Sequence, residues 1–199
     1  MHRNVEFYFD VGSPAAYLAW TQMPGLCAST GGKPEYRPML LGGVFQATGN
    51  QSPMNIPAKA AYMLGDLERF ARRYGVLFRH NPHFPINTLM LMRVAAGLQL
   101  RDPGKLQPYV DAVYHAIWVD GRNMNDPEVV TAVLDQAGFD AGGLMALASD
   151  PDVKERLKSL TAAAVERGVF GAPTFFVRGQ MYWGQDRLDF VKAALEAPS

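Results

Sequence analysis

Residues 7–20 read FYFDVGSPAAYLAW, and the way this stretch divides decides the fold. Val5, Phe7, Phe9 and Val11 alternate with Glu6, Tyr8 and Asp10, the period of two that a strand requires. Gly12 breaks the alternation. Ser13 then offers a side-chain oxygen at an N-cap position. Pro14 follows at the first helical position, where its missing N–H leaves no bond unmade. The pattern from Ala15 is helical as far as about Thr30, where Gly31 and Gly32 stop it. A second short strand over Glu35 to Leu40 completes a strand–helix–strand unit, which predicts a right-handed crossover with parallel strands. The stretch thus aims a strand at a serine seated on a helix N-terminus.

Outward from this unit the character changes. GGVFQATGNQSPMNIP, residues 42–57, is rich in Gly, Pro and Asn and predicts a loop. Helical patterns follow. Met63, Leu64, Leu67, Phe70 and Tyr74 form a stripe ended by Gly75, and INTLMLMRVAAGLQL (86–100) is apolar nearly all round, as in a buried helix. Leu106, Val110, Val113, Tyr114 and Ile117 make another stripe. Asp126-Pro127-Glu128 is a helix start with Gly138 as its stop, and Asp150-Pro151 starts a helix running to about Arg167. PTFFVRGQMYWG (173–184) reads as a hairpin turning at Arg178-Gly179-Gln180, and Asp186 opens a C-terminal helix. The order β-α-β, helices, β-β-α predicts a discontinuous parent domain, 1–50 with 169–199, and a helical insertion, 51–168.

Composition narrows the function. The 199 residues are 48% hydrophobic, enough for a sizeable core, and 19 basic residues balance 19 acidic ones. Zero formal charge gives no global attraction for nucleic acid or an anionic membrane. Cys27 is the only cysteine, which excludes an internal disulfide and a CxxC redox pair, and a free thiol suits a reducing compartment. No secretory signal and no membrane span is legible, so the expectation is a cytoplasmic protein. His80 and His83 are separated by Asn81-Pro82 and have no third ligand nearby, so no metal site is expected.

The opening stretch, taken with GNQSPMNIPAK (49–59), FGAPTFFV (170–177) and WGQDRL (183–188), resembles the family of 2-hydroxychromene-2-carboxylate isomerases and kappa-class glutathione transferases. The resemblance implies an α/β, thioredoxin-like fold of DsbA type with a large all-helical insertion, glutathione as cofactor, a small aromatic substrate and a homodimer. The slot that holds CxxC in disulfide oxidoreductases of this fold reads Ser13-Pro14-Ala15-Ala16 here. Ser13 is then the catalytic residue, stabilising the thiolate of glutathione. Ala172-Pro173 is the fold's cis-proline bond, and the Ala172 backbone pairs with the tripeptide. Gln185 and Asp186 meet the γ-glutamyl end, while Asn50 and Lys59 lie toward the glycine carboxylate. Phe45, Asn55 and Phe84 fall in the organic-substrate pocket. Counting without gaps places Phe45 where the naphthalene-pathway isomerases carry a lysine, a departure that bears on the organic substrate more than on glutathione.

The residues themselves leave other readings open. A Ser-Pro pair is commonly only a cap, Asp186 is a natural N-cap, Asn50 an ordinary turn residue, Lys59 a solvated helix start and Pro173 a strand-edge proline. Cys27 reads as a small apolar helix residue and His115 as helix surface or satisfied core. A serine hydrolase elbow needs G-x-S-x-G, and the window Val11-Gly12-Ser13-Pro14-Ala15 lacks both glycines. A non-catalytic module binding thiols or peptides in a DsbA-like groove is the alternative outside enzymes. Glutathione-dependent turnover of an aromatic electrophile separates the two.

Overall fold

The computed structural model describes residues 4–198. Strand β1 (Asn4–Phe9) runs parallel to β2 (Lys33–Pro38), and helix α1 (Pro14–Thr30) crosses between them. Strands β3 (Thr174–Val177) and β4 (Gln180–Trp183) return from the far end of the chain. β3 pairs antiparallel with both β1 and β4, giving the sheet order β2-β1-β3-β4. The β3–β4 turn is Arg178-Gly179, both at positive φ (51° and 80°), the geometry that suits a two-residue hairpin.

The β1–α1 junction forms as its sequence dictates. Ser13 adopts an extended N-cap conformation and accepts the Ala16 N–H at 3.1 Å, and Gly31 ends the helix at φ 67°. β1 stops at Phe9, two residues short of the expected Val11, because Asp10 leaves the sheet to bind elsewhere. Val11 is nonetheless buried, and its carbonyl accepts from the Trp118 indole at 2.9 Å. β2 begins and ends two residues earlier than expected.

The segment read as a loop contains helix α2 (Leu41–Thr48) and a short 3₁₀ turn at Pro53–Asn55. Gly42 and Gly43 lower its intrinsic propensity, but tertiary contacts override them. The Leu41 N–H at its start donates to the Asp10 carboxylate at 2.8 Å, Val44 is buried, and the Leu40 N–H donates to Thr161 Oγ1 at 2.9 Å. Thr161 belongs to helix α8 (Pro151–Glu166), on which α2 packs. The remaining helices are α3 (Pro57–Tyr74), α4 (Leu89–Arg101), α5 (Leu106–Trp118), α6 (Pro127–Gln136), α7 (Ala141–Ser149) and α9 (Leu188–Glu196). The sequence reading contains no α7. Asp186 is not the cap of α9: it sits in a 3₁₀ turn, Gln185–Arg187, and the helix begins at Leu188 without a side-chain cap.

One buried cluster joins the sheet to the helices. Phe7, Phe9, Trp20, Tyr36 and Phe175 stack with ring centroids 4.3–6.4 Å apart, and Tyr114 and Trp118 of α5 extend the same core beneath the β1–α1 turn. Burying each large aromatic contributes on the order of 2–3 kcal/mol. No helix among the described residues is long and apolar enough to cross a membrane.

Candidate active site

The β1–α1 turn is held from beneath. The Ser13 N–H donates to the Asp10 carbonyl at 3.0 Å, and the same carbonyl accepts from the Tyr114 hydroxyl at 3.4 Å. The Asp10 side chain is completely buried. Its carboxylate accepts from the Gly12 N–H (2.9 Å), the Leu41 N–H (2.8 Å) and the Thr88 hydroxyl (3.1 Å). One side chain therefore ties the β1–α1 turn to the starts of α2 and α4. Burial pushes this carboxyl up from its ordinary value, and the three donors pull it part of the way back. Gly12 is required by space, since a Cβ there would lie 2.9 Å from Thr88 Cγ2.

Ser13 is 5% exposed and faces the loop that enters β3. Its hydroxyl donates to the Ala172 carbonyl at 3.1 Å while accepting from Ala16. The Ala172–Pro173 bond is cis, as the resemblance implies, and Phe84–Pro85 is a second cis bond at the rim. Above Ser13 lies a cleft of about 330 Å³ that gathers Ser13, Phe45, Asn50, Phe84, Ala172, Pro173, Gln185 and Asp186 from five separate parts of the chain. Ala15 also lines it, and the amides of a first helical turn have no intrahelical partners, so the N-terminus of α1 presents positive potential to this cleft.

Two loops shape the far end. The Asn50 amide donates to the Phe170 carbonyl at 2.8 Å, so Asn50 clamps the loop that carries Ala172. The Tyr74 hydroxyl donates to the Gln185 carbonyl at 2.8 Å, fixing the turn that presents Asp186. Gly184, at φ 107°, has its would-be Cβ against the Asp186 carboxylate, so only glycine serves there.

A second chamber of about 590 Å³ adjoins the first and shares Gly12, Leu41, Phe45, Ser52, Met54 and Phe84 with it. Asn55 lines this second chamber. Lys59 lines neither: it lies exposed on the first turn of α3. A larger cavity, about 770 Å³ between α2, α4 and α8, contains none of these residues. Its rim mixes basic and acidic side chains, Arg93, Lys154 and Lys158 with Glu155 and Glu166, and includes no residue of the α1 N-terminus.

Some lining residues carried no signal that singles them out. Trp183 is half exposed and packs on Phe170 at 5.0 Å, and a Cβ on Gly171 would lie 2.6 Å from its indole nitrogen. Asp66 faces the cleft from α3, and His80 lines the second chamber. In sequence Trp183 stands only within the WGQDRL block, His80 reads only as a rejected metal ligand, and Asp66 is one polar residue between Met63 and Leu67.

Comparison with known proteins agrees with this geometry. The DSBA-like thioredoxin domain family matches residues 4–196. A 2-hydroxychromene-2-carboxylate isomerase from Sphingobium xenophagum is 35% identical over 197 residues, covering 98% of this chain and 99% of that one. Glutathione S-transferase kappa 1 from Homo sapiens is 28% identical, covering 95% and 89%. The solved structure of a 2-hydroxychromene-2-carboxylate isomerase superposes with a TM-score of 0.84 at 31% identity, covering 96% of this chain and 94% of that one. With its serine at the α1 N-terminus and its cis-proline opposite, the chain belongs to the DSBA-like thioredoxin family, among the enzymes that comprise the chromene-carboxylate isomerases and kappa glutathione transferases.

Proposed function

We propose that the chain binds glutathione in the Ser13 cleft and, with its thiolate, interconverts 2-hydroxychromene-2-carboxylate and trans-o-hydroxybenzylidenepyruvate. The observation that carries this is the Ser13 hydroxyl, held between the α1 N-terminus and the Ala172 carbonyl in a chain with no cysteine at that position. The residues present suit the tripeptide. The helix end favours an anion, the backbone at Ala172 can pair with an extended peptide, and the Asp186 carboxylate suits the γ-glutamyl ammonium. Asn50 stands toward the glycine carboxylate and Gln185 beside Asp186, whereas Lys59, outside both chambers, is left out of this reading.

Bound glutathione supplies the nucleophilic thiol, whose reversible addition to the conjugated ring system opens the chromene and frees its carbon–carbon bond to rotate. The chain's own part begins with an exchange. Ser13 turns its O–H from the Ala172 carbonyl toward the sulfur, and the carbonyl so released is free to accept a backbone N–H of the tripeptide. A single hydroxyl rotation thereby couples seating of the peptide to stabilisation of its thiolate. Phe45, Phe84 and Met54 form the apolar wall that excludes water, and Asn55 faces the organic substrate. The resemblance extends to a cytoplasmic homodimer, which sedimentation and fractionation test directly.

A second reading, conjugation of glutathione to an electrophile, draws on Phe45: an aromatic ring in place of lysine suits a neutral aromatic acceptor. Both readings share the Ser13 step. The test is an ultraviolet titration of bound glutathione on wild type and Ser13→Ala. A free thiol has a pKa near ~8.5. A depression of about two units in wild type, equivalent to about 2.7 kcal/mol, that vanishes in the variant supports the role of Ser13. Binding with an unshifted thiol in both proteins reduces Ser13 to a helix cap.

A further inference from the structure

The second chamber is lined mainly by apolar side chains, and most of its polar groups are already engaged. Asp10 accepts three hydrogen bonds, Thr88 donates to Asp10, and the Ser52 hydroxyl accepts from the Met54 N–H. Two polar side chains remain without a hydrogen bond among the described residues, Asn55 and His80. His80 is exposed on the segment between α3 and α4, with its ring 6.3 Å from that of Phe84. Among the described residues that line either chamber, the acids are Asp10, Asp66 and Asp186, and His80 is the one side chain able to carry positive charge.

We propose that His80, with the Asn55 amide that lines the same chamber, receives the carboxylate of the organic substrate and so selects aromatic carboxylates over neutral electrophiles. The inference rests on the isomerase reading, in which the substrate is an anion. The other ionisable groups of the two chambers are carboxyls that already have partners, Asp66 with Arg69 at 3.4 Å, Asp186 with Arg187 at 2.5 Å and Asp10 with its three donors, and none of them offers the anion a charge-assisted bond. Phe45 offers it no charge, and the positive end of α1 is committed to sulfur. A buried or half-buried carboxylate without a donor is costly, whereas an imidazolium or imidazole N–H and an amide N–H give it charge-assisted or neutral hydrogen bonds. The chamber thus has its one cationic side chain on the segment after α3, and Phe45 becomes a wall against which the substrate ring lies.

The test uses binding in place of turnover. Wild type, His80→Ala and His80→Lys are titrated with 2-hydroxychromene-2-carboxylate and with its methyl ester, with S-methylglutathione present to occupy the first cleft without a reactive thiol. The expected result is a loss of about tenfold in affinity for the acid in His80→Ala, a change for the ester within about twofold, and recovery of the acid in His80→Lys. Equal losses for acid and ester, or no loss for the acid, overturn the proposal and leave His80 as a packing partner of Phe84. Wild type that binds neither compound overturns it as well. Failure of the isomerase reading is a separate result: wild type that binds the acid tenfold better than the ester through His80 but does not isomerise it with glutathione. Unchanged melting temperatures for the exposed His80 variants show that the fold is intact.

Discussion

Replacing Asp10 by alanine tests whether the buried carboxylate holds the β1–α1 turn in place. The side chain is 1% exposed, so no water replaces what it loses. Alanine orphans the Gly12 and Leu41 amides and the Thr88 hydroxyl. An unsatisfied buried donor costs about 1–3 kcal/mol. The Thr88 hydroxyl can turn to another acceptor, but the two amides cannot, which sets the loss at about 2–6 kcal/mol before any offset. Removing a desolvated carboxyl returns part of this, and a net loss of about 3 kcal/mol follows. For a chain of this size that lowers the melting temperature by roughly 6–12 °C. Urea unfolding measures it directly. The sign of the pH dependence is also set. The carboxyl is raised above its ordinary 3.8, so the unfolded chain sheds this proton first, and the contribution of Asp10 falls as pH rises from that value through the folded one. The advantage of wild type over Asp10→Ala is therefore largest in acid and narrows toward neutrality. A loss below about 1 kcal/mol refutes the reasoning, since the three donors would then have other partners, and an advantage that grows with pH refutes it as well, since the donors would then outweigh burial.

Three further outcomes follow from the same contacts. Arg167 bonds Glu6 at 2.7 and 3.0 Å, stacks 3.9 Å over Phe176, and holds the Glu6 carboxyl below its ordinary 4.5. The pair is partly exposed, so Arg167→Ala costs about 1 kcal/mol at neutral pH; the ionic share is present above pH 4.5 and disappears as pH falls through the lower folded value, while the stacking share persists, as urea midpoints across that range will show. Gly171→Ala drives a methyl into the Trp183 indole, 2.6 Å away, costing about 1–3 kcal/mol and shifting tryptophan emission as the half-exposed ring moves; an unchanged spectrum contradicts the contact. Asp186→Asn keeps the shape of the turn but removes the charge offered to the γ-glutamyl ammonium, so calorimetry gives about tenfold weaker glutathione binding with little change in stability, and equal affinity excludes Asp186 from the site.

How much of this was legible follows from where each signal resides. The β1–α1 junction was readable because its determinants are local: a period of two, a glycine, then Ser13 and Pro14 in cap and first-turn positions, confirmed by the Ser13–Ala16 bond. Helix α2 was not, because Gly42 and Gly43 argue against it locally and its support comes from Asp10 and Thr161, 31 and 121 residues away in sequence from their partners. Helix α7 was missed for a similar reason, although Asp140, which accepts the Gly143 N–H, was a cap in plain view before two glycines. The cleft divides in the same way. Ser13 sits at an element end whose turn chemistry is written in the sequence, whereas Ala172, Pro173 and Asp186 were marked by the family resemblance, and the fold brings all four to one cleft. Trp183, Asp66 and His80 reach the chambers only through the approach of β4, α3 and the loop after α3, which no local pattern specifies.

The same division explains why the chemistry differs from that of a dithiol oxidoreductase on this scaffold. On the proposed reading, the parts that polarise a sulfur belong to the backbone, the N-terminus of α1 and the cis-proline loop opposite, held by the buried Asp10 carboxylate that ties the β1–α1 turn to the starts of α2 and α4. These survive any side chain at position 13. Serine there keeps the hydrogen bond and gives up the thiol, and Cys27, partly buried within α1 with its thiol pushed up by burial, cannot stand in for it. On the proposed reading, this site has no sulfur of its own and takes one from glutathione. The Ser13 hydroxyl is engaged at 3.1 Å with the Ala172 carbonyl, the group that the proposed tripeptide would need, so on that reading its rotation registers the arrival of the peptide.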